Sequence, residues 1–181
     1  REGFGWLADW RARRAARRAR PATGFVSQPE PRSIGSYTRG KQIMAGTLLL
    51  AGTLVEAPDQ SLWDIPSPDP DFAAAAQGFA WLDDLAAFDT AAARKRAQGW
   101  TWDWIARFGT GQGVGWAPDL IGRRIIRWVH HATFLLSGRS KTETEGFYRV
   151  LAGQAAYLAR RWTAAPPGLP RFEALTGLLY A

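Results

Sequence analysis

Residues 116–136 read W-A-P-D-L-I-G-R-R-I-I-R-W-V-H-H-A-T-F-L-L and form the clearest helical pattern in the chain. The apolar side chains of this segment recur at helical spacing, so one face must be buried: Ile121, Ile125, Trp128, Val129, Ala132, Leu135 and Leu136. Its polar residues are three arginines and two adjacent histidines, and a tryptophan stands at its first position. This combination suits a surface that binds anionic, ring-shaped ligands such as acidic sugars.

Further helical patterns surround this segment. Apolar periodicity predicts helices over residues 72–88, 90–108, 142–162 and 170–179. Thr90 is expected to cap the second of these helices, and Thr142 with Glu145 to form a capping box for the third. Four glycines within residues 109–115 predict a loop, which lacks the Lys and Ser/Thr of a phosphate-binding loop. Helices joined by short connections predict antiparallel helical hairpins.

The first 65 residues differ in composition from the rest of the chain. Residues 1–20 are predicted as a basic amphipathic helix that ends before Pro21, with the helical pattern starting at residue 4. Residues 21–41 contain three prolines and are predicted to be an irregular connector. Residues 42–65, interrupted by two glycines, predict a short β-hairpin or extended segment. The expected fold class is mainly α, with residues 42–181 as the helical domain.

Composition limits the classes of function. A chain of 181 residues with 46% hydrophobic content is sized for one globular domain. The absence of cysteine excludes disulfides and cysteine-based metal or redox sites, and it leaves both a cytoplasmic and a periplasmic location open. The net charge of +7 and the pI near 10.5 favour an acidic partner: nucleic acid, an anionic membrane or a polyanionic carbohydrate. The longest apolar run, residues 43–55, is too short to span a bilayer, and no signal peptide is visible.

Several segments carry a family resemblance when their order and spacing are taken together. They are residues 79–87, 104–108, 115–124, 127–128, 130–132, 154–162 and 168–175. In this order they resemble the N-terminal helical region of bacterial heparinase II/III-family proteins, over about residues 43–181. The resemblance implies part of an incomplete α/α toroid, which a β-sandwich domain follows in the family. It therefore predicts that residues 42–181 are the N-terminal part of a toroid truncated at its C-terminus.

The resemblance implies a polysaccharide lyase. Lyases of this kind cleave uronic-acid polymers, heparin- or alginate-like, by β-elimination. This reaction needs a group that neutralises the uronate carboxylate, a base for the C5 proton, and an acid for the leaving oxygen. In the family these residues lie mostly on later helices, so no catalytic residue is assigned in this chain. The implied partners are an anionic polysaccharide and the C-terminal remainder of the same protein, and no cofactor is implied.

Five residues are candidates for contact with such a substrate: Trp116, Arg123, Arg124, His130 and His131. A tryptophan after a glycine-rich loop could stack on a sugar ring, and arginines could bind uronate or sulfate in bidentate fashion. Packing, a solvated face or an ion pair with Asp119 are the structural alternatives. Adjacent histidines on a helix point about 100° apart, so at most one is expected on the buried face.

Other polar residues fit a site less well. Two adjacent histidines without a His-x-x-x-His spacing do not form a metal site, and none is predicted. Asp83 and Asp84 are adjacent and so face different directions, which favours a structural role. Tyr37, near Arg32 and Arg39 in the sequence, is a further candidate base.

Two alternatives to the lyase remain open at this point. One is a non-catalytic helical module that binds carbohydrate or protein. The other is nucleic-acid binding through the basic N-terminal helix, which rests on charge alone because no nucleic-acid motif accompanies it.

Overall fold

A computed structural model describes residues 5–27, 29–31 and 34–181, and this part of the chain is mainly helical, as predicted. Its helices are α1 Gly5–Arg17, α2 Tyr37–Met44, α3 Pro70–Gln77, α4 Ala80–Phe88, α5 Ala91–Phe108, α6 Pro118–His130, α7 Ala132–Leu136, α8 Lys141–Arg161 and α9 Leu169–Tyr180. Two strands, β1 Thr47–Leu50 and β2 Thr53–Glu56, complete the secondary structure apart from short 3₁₀ turns. None of the described helices is long and apolar enough to cross a membrane.

The predicted β-hairpin is confirmed within residues 42–65. Strands β1 and β2 pair antiparallel, with Leu50 opposite Thr53. The two-residue turn between them has positive φ at both positions, 50° at Ala51 and 88° at Gly52. Such a turn matches the right-handed twist of the paired strands, which is why a glycine stands at its second position.

The predicted irregular connector ends earlier than expected, because α2 begins at Tyr37. The hydroxyl of Ser36 caps this helix by accepting a hydrogen bond from the backbone N–H of Arg39, at 3.3 Å. A side chain at Gly40 would overlap the carbonyl of Asp84, so α2 rests directly on α4. The helix has only eight residues, and its stability comes from this packing rather than from the helical spacing of its own apolar residues.

The N-terminal helix α1 ends at Arg17, three residues before the predicted end, and its predicted start lies outside the described residues.

The helix predicted over residues 72–88 is divided into α3 and α4. Phe79, fully buried, has a φ of 63° in the left-handed region and separates the two helices. The break leaves the carbonyls of Gln77 and Gly78 without helical partners, and two arginines of α6 donate to them. The residues that compensate the break are therefore more than 40 positions away in the sequence.

The helix predicted over residues 116–136 is also divided. Residues 114–116 form a 3₁₀ turn, α6 runs to His130, and α7 starts after His131. The capping box predicted at Thr142 and Glu145 is wrong by two residues. It consists of Ser140 and Glu143, whose side chains each bond to the other's backbone N–H, at 3.2 and 2.9 Å. The predicted cap at Thr90 is confirmed.

The core is a single cluster of apolar side chains in which α6 contacts α8, α9 and α3. Its largest members are the fully buried indoles of Trp81, Trp104 and Trp128, one from each of α4, α5 and α6. The helix α1 packs on α8, and α2 packs on α4. This arrangement brings α2, α4 and the C-terminal end of α6 to one side of the domain.

Candidate functional site

Arg124, predicted to contact substrate, lies in the core with no exposed surface. Its guanidinium donates to Gln154 Oε1 at 2.6 Å, to the carbonyl of Gln77 at 2.8 Å and to the carbonyl of Gly115 at 2.9 Å. Its Cζ lies 4.0 Å from the ring centre of Trp104. Burial lowers the pKa of Arg124 well below its usual value. The side chain therefore joins α6, α3, α8 and the glycine-rich loop.

Trp116 is also part of the packed interior, with 3% of its surface exposed. Its indole N–H donates to the carbonyl of Phe108 at 2.7 Å, and its ring meets Tyr157 edge-on at 5.4 Å. The indole faces are thus occupied by protein. Arg123 is half-buried and binds Glu173 of α9 at 2.8 Å, while Asp119 lies 3.8 Å away. The ion pair named as its structural alternative is therefore present, with Glu173 as the nearer carboxylate.

The two histidines are both buried, with 6% of His130 and 8% of His131 exposed. The expectation that only one could be buried is wrong, because each meets a different neighbour. The ring of His130 faces Tyr180 of α9 at 5.2 Å between ring centres. The Nε2 atom of His131 lies 2.8 Å from Asp83 Oδ1 of α4. The helix ends between them, which frees His131 from the direction that a continuous helix would impose.

Asp83, Arg127 and His131 form a hydrogen-bonded group, here called the Asp83 cluster. Asp83 accepts from Arg127 Nε at 2.8 Å through one oxygen and meets His131 through the other. Arg127 also donates to the carbonyl of Gly78 at 3.0 Å. Burial raises the pKa of Asp83, but the His131 hydrogen bond and the Arg127 charge outweigh it and lower the pKa overall. Asp83 is therefore an ionised carboxylate that orients an imidazole.

The Asp83 cluster opens onto the surface through two adjoining depressions that share Ile34, Gly35 and Asp83, together called the Asp83 depression. One has a volume of about 320 Å³, and His131 lines it. The other has a volume of about 210 Å³, and Arg39, Asp84 and Arg127 line it. The cluster thus pairs one of the predicted histidines, His131, with a carboxylate, and it borders a concave surface.

Arg39 of α2 and the residues just before α2, Ile34 and Gly35, line part of this surface. Asp84 accepts a hydrogen bond from the backbone N–H of Ser36 at 2.7 Å. Burial raises the pKa of Asp84, and the charge of Asp83 adds to this effect. Arg39 is exposed. Tyr37, the candidate base, is 61% exposed with its ring 5.0 Å from Phe88, and its predicted neighbour Arg32 lies outside the described residues.

Sequence reasoning assigned Asp83 a structural role and missed the partnership with His131. The signal was present in residues 79–88, where two carboxylates interrupt an otherwise apolar helix. A buried carboxylate requires a charged or hydrogen-bonding partner. The arginines and histidines of residues 123–131 were therefore the candidates to pair with Asp83. Among the described residues no group of three or more potential ligands could hold a metal ion.

No protein-family model, curated protein sequence or solved structure matches this chain. The functional assignment therefore rests on the residues themselves. A surface that carries a carboxylate-bound imidazole and two guanidinium groups can bind an anionic group.

Proposed function

We propose that this chain is the N-terminal part of an α/α toroid in a heparinase II/III-type polysaccharide lyase, which cleaves uronic-acid polymers by β-elimination. The Asp83 depression would be its contribution to the polysaccharide cleft. The observation that carries the proposal is the Asp83 cluster, which presents a carboxylate-bound histidine at a concave surface that Arg39 and Arg127 also line.

The roles of the side chains follow from their environments. Arg39 is exposed and free to turn toward a uronate carboxylate, where a bidentate contact would withdraw charge and make the C5 proton more acidic. Arg127 is already bound to Asp83 and so acts as a fixed positive charge beneath the surface. His131 would bind a sugar hydroxyl or carboxylate. The base and the acid of the reaction would come from later helices of the proposed toroid.

The net charge of +7 supports an anionic substrate. Three of the five substrate candidates, Trp116, Arg123 and Arg124, are occupied by contacts within the protein. The sugar contacts would therefore come from His131, Arg39 and Arg127. His130 faces Tyr180 instead of the Asp83 depression.

The test uses the full-length protein that contains this chain, with heparin, heparan sulfate and alginate as substrates. We expect the ultraviolet absorbance of an unsaturated uronate to rise with one of these polymers. Arg39→Gln removes a charged hydrogen bond worth about 1.5–3 kcal/mol, so kcat/KM should fall roughly tenfold or more. Arg149→Gln removes an exposed arginine on α8 outside the Asp83 depression, and this matched control should leave kcat/KM unchanged.

The alternative is a non-catalytic helical module that binds carbohydrate through the same depression. Binding of these polymers that Arg39→Gln weakens, without any absorbance change, would favour the module over the lyase. Neither binding nor absorbance change with any of the three polymers would overturn both.

A further inference from the structure

The helix α1 is held on the outside of the domain in one orientation. Ala12 is fully buried against α8, and Gly153 leaves room for the backbone of Ala16, because a side chain there would press on its carbonyl. Asp9 binds Arg161 at 2.8 Å and accepts a hydrogen bond from the hydroxyl of Tyr157 at 3.1 Å. The inner face of α1 is therefore small and specifically paired, and the opposite face must point outward.

The outward face of α1 combines tryptophan and arginine. Trp6 is 66% exposed and Trp10 is 52% exposed, and Arg14 follows them at the same four-residue spacing. Its exposed arginines are Arg11, Arg14 and Arg17, and Arg18 in the turn directly after α1 is exposed beside them. The guanidinium of Arg14 lies 5.4 Å from the ring centre of Trp10, and a shallow depression runs between Trp10 and the arginines up to Arg18.

This charge is not neutralised within the described part of the chain. Asp9 is the one acidic residue of α1, and it is bound to Arg161 of α8. No carboxylate of residues 5–27, 29–31 and 34–181 forms an ion pair with an arginine of α1. Arg13 and Arg17 are like charges at i,i+4, which disfavours the helix, and Arg18 adds a further positive charge next to its end. A partner that is both anionic and apolar would relieve the repulsion and cover the indoles.

We propose that the outer face of α1 binds the surface of an anionic phospholipid membrane. Arginines contact phosphate in bidentate fashion, and tryptophan favours the boundary between headgroups and acyl chains. A cluster of four or more basic residues on such a helix is typical of binding to anionic lipid. The face is the convex exterior of a single helix, which fits a flat surface better than a polymer that needs a groove. This inference does not depend on the proposed lyase activity.

The test is sedimentation of the 181-residue chain with vesicles. Vesicles of equal parts phosphatidylglycerol and phosphatidylcholine should bind it, and pure phosphatidylcholine should not. Each arginine contributes about fivefold to binding, so the triple variant Arg14→Gln/Arg17→Gln/Arg18→Gln should bind about 100-fold more weakly. The variant Lys41→Gln/Lys95→Gln/Lys141→Gln removes the same charge from exposed positions elsewhere and should lose far less.

A second variant separates membrane binding from general attraction to polyanions. Trp6→Ala/Trp10→Ala keeps every charge, and it should weaken vesicle binding while leaving any binding to duplex DNA or heparin unchanged. Far-UV circular dichroism should match the parent chain, because both indoles are exposed. Equal losses in the two triple variants, vesicle binding that is insensitive to the tryptophans, or no binding to anionic vesicles would each overturn the proposal. Nucleic-acid binding would be indicated if the chain binds duplex DNA but not vesicles, and if the triple arginine variant loses the binding to DNA.

Discussion

Three arginines of α6 occupy three different environments although they lie within five consecutive residues. Arg123 forms an ion pair at the edge of the domain, and Arg127 shares Asp83 with a histidine. Arg124 is buried among neutral acceptors, which only a planar group with several fixed donors can reach at once. At the scale of the residue, the neighbours of a side chain determine whether it stabilises the protein or binds a ligand.

Adjacent carboxylates of α4 have opposite electrostatic effects on stability. The pKa of Asp83 is lowered, because its partners outweigh burial, so its carboxylate stabilises the fold above about pH 3.9 and loses this effect as the pH falls through the folded-state pKa. The pKa of Asp84 is raised by burial, so its contribution is complete below about pH 3.9 and is lost as the pH rises through the folded-state pKa.

Substitution of each residue by asparagine should therefore change the free energy of unfolding in a different way. Asp83→Asn leaves Arg127 without a charge partner and should lower the free energy of unfolding at neutral pH by about 3 kcal/mol. It should also flatten the loss of stability below about pH 3.9. Urea unfolding across the acid range measures both effects.

Asp84→Asn is the matched control for this prediction. Asparagine still accepts the hydrogen bond from Ser36, so stability at neutral pH should be kept or raised. The loss of stability that ionisation of Asp84 causes as the pH rises above about 3.9 should disappear in this variant. Identical pH profiles for the two variants would contradict the opposite shifts.

At the scale of the element, the contact between α6 and α9 is made by glycines. A side chain at Gly177 would overlap the backbone of Gly122, and one at Gly122 would overlap the carbonyl of Glu173. The two helices therefore touch backbone to backbone, and Arg123 adds an ion pair beside the crossing. Neither helix could approach so closely with an alanine at this position.

Gly177→Ala should lower the free energy of unfolding by about 1–3 kcal/mol, because the crossing helices must separate to admit a methyl group. Urea unfolding followed by far-UV circular dichroism measures the change. Gly99→Ala in α5 is the control, since no atom lies near its added methyl group. It should raise stability by roughly 0.5–1 kcal/mol through helix propensity alone. A Gly177→Ala protein as stable as the Gly99→Ala protein would show that the crossing is looser.

At the scale of the whole molecule, aromatic side chains connect the helices into one core. Trp128 of α6 meets Trp104 of α5 edge-on at 5.8 Å and stacks on Phe147 of α8 at 4.7 Å. Phe79, at the break between α3 and α4, lies 5.6 Å from Trp128. Because these contacts join four parts of the chain, the domain should unfold in one cooperative step.

Trp128→Ala should lower the free energy of unfolding by about 3–5 kcal/mol, because it opens a cavity at the centre of this network. Trp10→Ala, at a half-exposed position on α1, should change it by less than about 0.5 kcal/mol. Chemical unfolding followed by both circular dichroism and tryptophan fluorescence measures these values. Transitions that differ between the two probes would contradict a single core.

The sequence by itself determined the helical class, the hairpin within residues 42–65, the Thr90 cap and the burial of one apolar face of residues 121–136. Each of these depends on interactions within a few residues, such as periodicity, capping and turn conformation. Only the tertiary structure decided which polar residues are available for function. The partners of Arg124 and His131 lie on segments up to 48 residues away. At the break beside Phe79 the carbonyl of Gln77 accepts from Arg124, and at the break beside His131 the imidazole meets Asp83. The spacing of residues 116–136 thus specifies helical structure, whereas the folded chain divides it at His131, assigns Arg124 to the core and assigns His131 to the Asp83 depression.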